Sequence, residues 1–298
     1  MNGHMGRRPL AVALLVIFLL SSFTVSALAD VEMRRVVIGA DLTEEQIGSV
    51  YEMLGLRRGE IPELVLTNAE EHAYLEQYVD STLLGTRSIS CVYLEMLPQG
   101  SGLDVQTFNI SWYTPDMYRT ALETAGITDA KLMIAAPFSV SGTAALAGVY
   151  KAYEDMTGQK LVEQAKEAGT QELTVVGDLA EEIGSEESAS IVGELKQILN
   201  ETAEMTDEEI RLRISEIAKS YNVSLTDAQL QQLVDLCRTL EKIENLRLKD
   251  RVEDVQDTLQ KVSEAKNSFA RFVERLRNIF DAVRSFFDRV SGIVGGEG

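Results

Sequence analysis

Two serines, a glycine and a threonine lie together in the sequence FSVSGT, where an apolar run is predicted to turn into a helix. A serine here would act as a nucleophile only beside a general base, and the segment lacks the G-x-S-x-G pattern of a nucleophile elbow. Free N–H groups at a helix start favour negative charge, so the segment is a candidate anion site. Its residues are Ser139, Ser141, Gly142 and Thr143. The favoured alternative is structural, with Ser139 or Ser141 serving only as the helix N-cap.

Other reactive side chains are scarce. His4 belongs to an N-terminal segment that we expect to be removed, which leaves His72 as the imidazole of the mature chain. Zinc sites built on several histidines are therefore excluded, and two cysteines do not complete a ligand set. We predict no metal site, no cofactor and no catalytic residue, and we expect that the protein is not an enzyme.

Carboxylates provide the one enzymatic alternative. Neighbouring acids such as Glu44 and Glu45 fit the first turn of a helix, where the helix dipole favours them. Two acids from distant segments could instead face a glycosidic bond, with Trp112 or Tyr113 stacked on the sugar. The alternative hypothesis is thus a carboxylate-dependent hydrolase acting on cell-wall polymers.

The N-terminal segment has the three parts of a secretory signal. Arg7 and Arg8 precede an apolar stretch over residues 10–20, and the small residues A-L-A end at Ala29. The apolar stretch is shorter than the about 20 residues that span a bilayer. We expect cleavage after Ala29 and a secreted or extracytoplasmic location at the cell envelope.

Charge divides the chain into an acidic body and a basic tail. The formal net charge is −19, whereas residues 266–298 carry six basic and four acidic side chains. An acidic surface repels nucleic acid, because binding there depends on Lys and Arg. We therefore expect no nucleic-acid partner.

Hydrophobic periodicity predicts an α+β protein. A strand over 34–40, a helix over 43–54 and a strand over 131–138 lead to a helix through Tyr153. The runs RSISCVYLEML and LDVQTFNISW alternate around PQGSG, which predicts an antiparallel hairpin. We expect a two-layer N-terminal domain with a short mixed or antiparallel sheet, followed by an all-α C-terminal region.

The predicted organisation is a signal peptide over 1–29, an α+β domain over 30–169, an acidic helical region over 170–265 and a basic amphipathic tail over 266–298. The sequence GDLAEEIGSEES is interpreted as a linker. Helices are expected near 189–203, over 207–220 and from Asp227 onward.

Helix starts repeat one chemical pattern. Thr43 and Gln46 fit a capping box, as do Thr226 and Gln229, because the threonine caps the helix while the side chain three residues on reaches back. Three further starts fit related patterns: Asn68-x-x-Glu71, Thr206-x-x-Glu209 and Thr114-Pro115.

The tail carries an apolar stripe beside arginines. Apolar residues recur every seven positions. The candidate partner- or membrane-facing residues are Phe269, Phe272, Leu276, Phe280, Val283, Phe287, Arg271 and Arg275. Such a helix could lie on an anionic membrane, form a coiled coil with a second copy or another protein, or fold against its own acidic helices. Packing on protein is favoured, since exposed apolar stripes are rare in soluble proteins.

Two cysteines, Cys91 and Cys237, lie in apolar contexts. In an oxidising compartment they could form a disulfide. Two buried thiols that act as small hydrophobes are the favoured interpretation.

Several stretches together resemble the YpuA-like family of secreted bacterial proteins, a domain of unknown function. The matching stretches are GADLTEEQ (39–46), LGTRSISCVYLE (84–95), GSGLDVQTFNIS (100–111), residues 118–154 and the acidic helical segment after them. The resemblance covers most of the mature chain. It implies an exported protein and carries over no catalytic residues. The leading hypothesis is an exported, non-enzymatic binding or structural protein.

Overall fold

Five strands form one mixed sheet in the computed structural model, which describes residues 33–76, 79 and 84–244. The strands are β1 (Arg34–Gly39), β2 (Glu63–Leu66), β3 (Cys91–Met96), β4 (Leu103–Ile110) and β5 (Ala130–Val140). Their order across the sheet is β2-β1-β3-β5-β4, and β3 alone runs against the others. The predicted α+β class with a mixed sheet is confirmed.

The predicted hairpin of β3 and β4 is wrong. Strand β5 lies between them and pairs antiparallel with β3, where Cys91 faces Ala135, and parallel with β4, where Val105 faces Leu132. Most of the first half of β5 is buried, so a central position gives both backbone edges of this apolar strand a hydrogen-bonding neighbour. The segment between β3 and β4 therefore spans the width of β5.

Nine helices occur in the described part of the chain. They are α1 (Glu44–Leu54), α2 (Asn68–Leu75), α3 (Pro115–Thr124), α4 (Thr143–Thr157), α5 (Glu163–Ile183), α6 (Ser185–Gln197), α7 (Leu199–Thr202), α8 (Asp207–Ser220) and α9 (Asp227–Glu244). The helices predicted over 43–54 and 207–220 are confirmed. The predicted segments 1–29 and 266–298 lie outside the described residues.

Helices cover both faces of the sheet, one layer more than the sequence predicts. Alternate residues of β1 point to opposite sides, so Val36 joins a cluster with Tyr51 of α1 while Val37 joins the cluster that includes Tyr150 of α4. The larger cluster continues through α5 and α6 to Ile243 in α9. The sheet thus has a small core on one side and a large one on the other.

The segment predicted as a linker is helical. Helix α5 passes through residue 169 without a break and ends at Ile183. Gly184 follows with a positive φ of 98° and separates this helix from α6. One hydrophobic core also joins residues on both sides of position 169, including Leu122 and Val234. Residues 33–169 and 170–244 therefore share a core.

A buried ion pair ties α5 to α6 and α3. Glu172 is 1% exposed, and the Lys196 ammonium lies 3.0 Å from its carboxylate. Thr124 of α3 donates a hydrogen bond of 2.5 Å to the same carboxylate and accepts one of 2.9 Å from Lys196. Burial raises the pKa of Glu172, and the charge of Lys196 opposes that shift. This pair joins elements on either side of residue 169.

Candidate functional site

Four helices begin at one edge of the sheet. Strands β1, β2, β4 and β5 run in the same direction, and α1, α2, α3 and α4 follow them in turn. Carboxyl ends of parallel strands and N-termini of helices are where α/β sheets commonly bind ligands. The predicted anion segment and the start of α2 both lie at this edge.

The start of α4 is capped by glycine, so the prediction that Ser139 or Ser141 is the N-cap is wrong. Gly142 occupies the N-cap with φ of 100°, and no side chain caps the helix. A Cβ at Gly142 would lie 2.4 Å from the Tyr118 hydroxyl, which donates a 2.7 Å hydrogen bond to the Gly142 carbonyl oxygen. A serine side chain therefore has no room at this position.

The four candidate anion residues lie along this turn but differ in exposure. Ser139 is exposed on β5, whereas Gly142 and Thr143 are buried. The Ser141 hydroxyl lies 3.2 Å from that of Thr143, so these two groups partner each other. Anion binding by Ser139, Ser141, Gly142 and Thr143 stays a prediction.

The cap of α2 lies one residue earlier than predicted. Thr67 is the N-cap, its hydroxyl accepts a hydrogen bond from the Glu70 backbone N–H, and the Glu70 carboxylate accepts one of 2.9 Å from the Thr67 N–H. Asn68 and Glu71 are therefore not the capping pair. The boxes at Thr43, Thr206 and Thr226 are confirmed.

The shifted register directs Glu71 into the protein. Glu71 is 1% exposed and Ser88 is fully buried. Glu71 Oε2, Ser88 Oγ and Asn68 Nδ2 have no hydrogen-bond partner among the described residues. Asp41 adjoins them, because its carboxylate accepts a 2.7 Å hydrogen bond from the Ser88 backbone N–H. We call Asp41, Asn68, Glu71 and Ser88 the polar pocket.

Close backbone packing fixes one wall of the polar pocket. A Cβ at Gly39 would lie 2.3 Å from the Ser88 carbonyl oxygen. That oxygen accepts a hydrogen bond of 3.2 Å from the Asp41 N–H, and the Ala40 N–H donates one of 2.9 Å to the Leu66 carbonyl oxygen. Only glycine at position 39 lets the ends of β1 and β2 approach the segment that contains Ser88.

The pKa of Glu71 is raised to about 8, chiefly by burial; the neighbouring Asn68 amide lowers it and the Asp41 charge raises it. An unfolded glutamate titrates near pH ~4.3, so between these values the folded protein keeps a proton that the unfolded chain has lost. Stability contributed by this proton is complete below pH ~4.3 and is lost as the pH rises towards 8.

Glu71→Gln is expected to match the parent near pH 5 and to exceed its stability by about 2 kcal/mol at pH 8.5, because the amide does not ionise. Urea unfolding in EDTA, followed by the fluorescence of Trp112, measures the difference at each pH. Glu45→Gln, which removes an exposed acid of α1, is the control. Equal pH profiles for the parent and Glu71→Gln would contradict the assignment.

His72 is held beside the polar pocket by contacts of its own. Its Nε2 lies 3.2 Å from the Gly85 carbonyl oxygen, and its Nδ1 lies 3.7 Å from the Glu76 carboxylate. The two ring nitrogens therefore face a backbone carbonyl oxygen and a carboxylate, rather than a serine.

Trp112 and Tyr113 pack against α5. Tyr113 is buried, and a Cβ at Gly177 would lie 2.6 Å from its ring and 2.8 Å from Trp112 Nε1. These rings are used in helix packing and do not form an open platform for a sugar. Trp112 and Tyr113 therefore do not provide the sugar-stacking surface that the hydrolase hypothesis requires.

The two cysteines lie in different cores. Cys91 belongs to the cluster under α1, Cys237 belongs to the cluster that includes α9, and both thiols are free. Burial raises the pKa of Cys91 to about 12 and that of Cys237 to about 11. The interpretation as buried thiols is confirmed.

We expect both thiols to resist iodoacetamide in the native protein, because the reactive thiolate is suppressed by burial. Both should be alkylated in about 8 M urea, because urea unfolds the chain and exposes both thiols. Intact-mass spectrometry before and after urea counts the added groups. A protein that loses two hydrogens and stays unlabelled in urea would instead contain a disulfide.

Residues 33–76, 79 and 84–244 show neither a clustered metal site nor a membrane-spanning helix. No group of three or more His, Cys, Asp or Glu side chains in these residues is arranged to hold a metal ion. Nor is any helix in the same part of the chain both long and apolar enough to cross a membrane. The tail candidates Phe269, Phe272, Leu276, Phe280, Val283, Phe287, Arg271 and Arg275 lie outside the described residues.

The mixed sheet, the helices on both of its faces and the shared core with the acidic helices define an α+β protein with a helical C-terminal part. Residues 38–262 match a family model described as "Protein of unknown function (DUF1002)", and the chain belongs to this family. It is 34% identical over 269 residues to "Uncharacterized protein YpuA" of Bacillus subtilis (strain 168), covering 88% of this chain and 92% of that relative. No solved structure matches the chain.

Sequence reasoning missed the polar pocket although a signal was present. Thr67 and Asn68 are adjacent capping residues, and each is followed by a glutamate three positions later. Two capping registers were therefore available, and only the Thr67 register buries Glu71.

Proposed function

We propose that this protein is an exported, non-enzymatic binding or structural protein that acts at the cell envelope, through a protein partner or a second copy held by residues 266–298. The observation that carries the proposal is the seven-residue apolar repeat with a local excess of arginine, on a chain with a net charge of −19. An apolar stripe of this kind is typical of a helix that packs on another helix.

The described residues support a binding role. His72 faces a backbone carbonyl oxygen, Tyr113 is buried against α5, and both cysteine thiols are buried. Side chains that usually perform chemistry thus serve packing and local hydrogen bonding.

Self-association is tested with the chain that lacks residues 1–29. Sedimentation velocity at micromolar concentration should show an oligomer, and Phe272→Asp/Phe280→Asp should shift it to a monomer, because two charges enter the apolar stripe. Asn278→Asp/Ser285→Asp adds the same charge at polar positions of the seven-residue repeat and should leave the oligomer intact.

Flotation with vesicles of phosphatidylglycerol and phosphatidylethanolamine separates the other outcomes. If the parent is monomeric and floats with these vesicles, and the Phe272→Asp/Phe280→Asp variant does not float, the protein attaches to an anionic membrane rather than to a protein partner. A parent that neither associates, floats nor crosslinks to a protein in the producing cells would overturn the proposal.

A further inference from the structure

Two oxygen atoms inside the polar pocket need a partner. Glu71 Oε2 and Ser88 Oγ are on side chains that are 1% and 0% exposed, and neither has a hydrogen-bond partner within the part of the chain that the structure describes. Leaving such groups unpaired in the interior costs free energy. Buried polar groups of this kind are usually completed by water or an ion.

Asp41 connects the two interior groups and leads to solvent. Its carboxylate binds the Ser88 backbone N–H at 2.7 Å and lies near enough to Glu71 for its charge to act on that carboxyl group. Asp41 itself is exposed, so this end of the polar pocket borders solvent. Asn68 reaches Glu71 from the first turn of α2 and adds an amide, whose oxygen and nitrogen can exchange positions by rotation.

In the described residues no cation lies beside the two carboxyl groups of the polar pocket, so Glu71 keeps its proton near neutral pH unless a bound cation displaces it. The groups that act on Glu71 are its buried surroundings, the Asn68 amide and the Asp41 carboxylate, and none of these is a cation. The nearby Lys151 has other partners, since it pairs with Glu70 at 2.5 Å and with the Val65 carbonyl oxygen at 2.6 Å. Two carboxylates, a hydroxyl and an amide oxygen are hard ligands that suit Ca²⁺ or Mg²⁺.

We propose that the polar pocket, formed by Asp41, Asn68, Glu71 and Ser88, binds one divalent cation of the calcium type. The ligands come from three separate segments of the chain, which favours Ca²⁺ over Mg²⁺ because Ca²⁺ accepts irregular geometry whereas Mg²⁺ demands a near-ideal octahedron. With two carboxylates, the affinity should be that of an extracellular module, with a dissociation constant of about 0.1–1 mM. The site does not depend on the proposed function.

Calcium binding is tested at pH 8.5, above the pKa of Glu71, on the chain without residues 1–29 after treatment with EDTA and desalting. Addition of CaCl₂ to about ten times the dissociation constant should raise the melting temperature by about 3 °C, because the ion binds only the folded state. KCl at equal ionic strength should not reproduce this rise, and MgCl₂ should give a smaller one. Titration calorimetry should report one site.

Three variants distinguish the polar pocket from the general acidity of the surface. Glu71→Gln should abolish the calcium effect, and Ser88→Ala should weaken calcium binding about tenfold. Ser88→Ala should be at least as stable as the parent in EDTA, because it removes an unpartnered buried hydroxyl. Glu45→Gln removes an exposed carboxylate of α1 and should respond to calcium like the parent.

The proposal is overturned if calcium raises the melting temperature no more than KCl does, because the polar pocket would then bind only water. It is equally overturned if Glu71→Gln and Ser88→Ala respond to calcium as the parent does, because binding would then lie elsewhere on the acidic surface.

Discussion

Lys196→Ala should destabilise the protein by about 3 to 5 kcal/mol, the largest effect that we expect from one side chain. The substitution leaves the Glu172 carboxylate buried without its ammonium partner, and breaking a buried pair from one side is strongly destabilising. The melting temperature should fall by roughly 10 °C, measured by calorimetry at pH 7.

The double variant Glu172→Gln/Lys196→Met separates charge burial from loss of packing. It removes both charges and keeps similar volumes, so it should recover most of the stability lost in Lys196→Ala. Lys219→Ala removes an exposed lysine of α8 and should change stability by less than about 0.5 kcal/mol. A loss below about 1 kcal/mol for Lys196→Ala would show that the pair is exposed to water in solution.

Gly39→Ala should destabilise the protein by about 3 kcal/mol, although it adds one methyl group. The new Cβ would meet the Ser88 carbonyl oxygen at 2.3 Å and the Ile89 backbone nitrogen at 2.9 Å. Backbone atoms cannot move aside as a flexible side chain can, and overpacking of this kind costs about 1–3 kcal/mol or more. Urea unfolding followed by the fluorescence of Trp112 measures the loss.

Gly48→Ala is the matched control, with the opposite expected sign. Gly48 lies in α1, and a Cβ there would meet nothing within 4 Å. Alanine should stabilise this helix by about 0.5–1 kcal/mol relative to glycine. If Gly39→Ala proved as benign as Gly48→Ala, the close approach of β1 to Ser88 would be disproved.

Local chemistry was readable from the sequence. The boxes at Thr43 and Thr206 and the Thr114-Pro115 start depend on residues within one helical turn, and each forms as predicted. At Thr67 and Asn68 local chemistry allows two registers. The structure uses Thr67 as the cap, with Glu71 and Leu75 buried on the inner face of the helix.

Contacts between residues distant in sequence could not be predicted from the sequence. Alternation in β3 and β4 identifies each as a strand, but it does not specify which strand lies beside it. Likewise, the serines of the 139–143 turn have the right chemistry for a cap. Tyr118, more than 20 residues earlier, takes the space that a serine side chain would need.

The position of β5 also sets an order of assembly. As the ribosome releases the chain, β3 can already pair with β1, whereas β4 has no partner until residues 130–140 emerge. A nascent chain arrested before residue 130 therefore presents β4 with both backbone edges open, in a form that invites aggregation or capture by a chaperone.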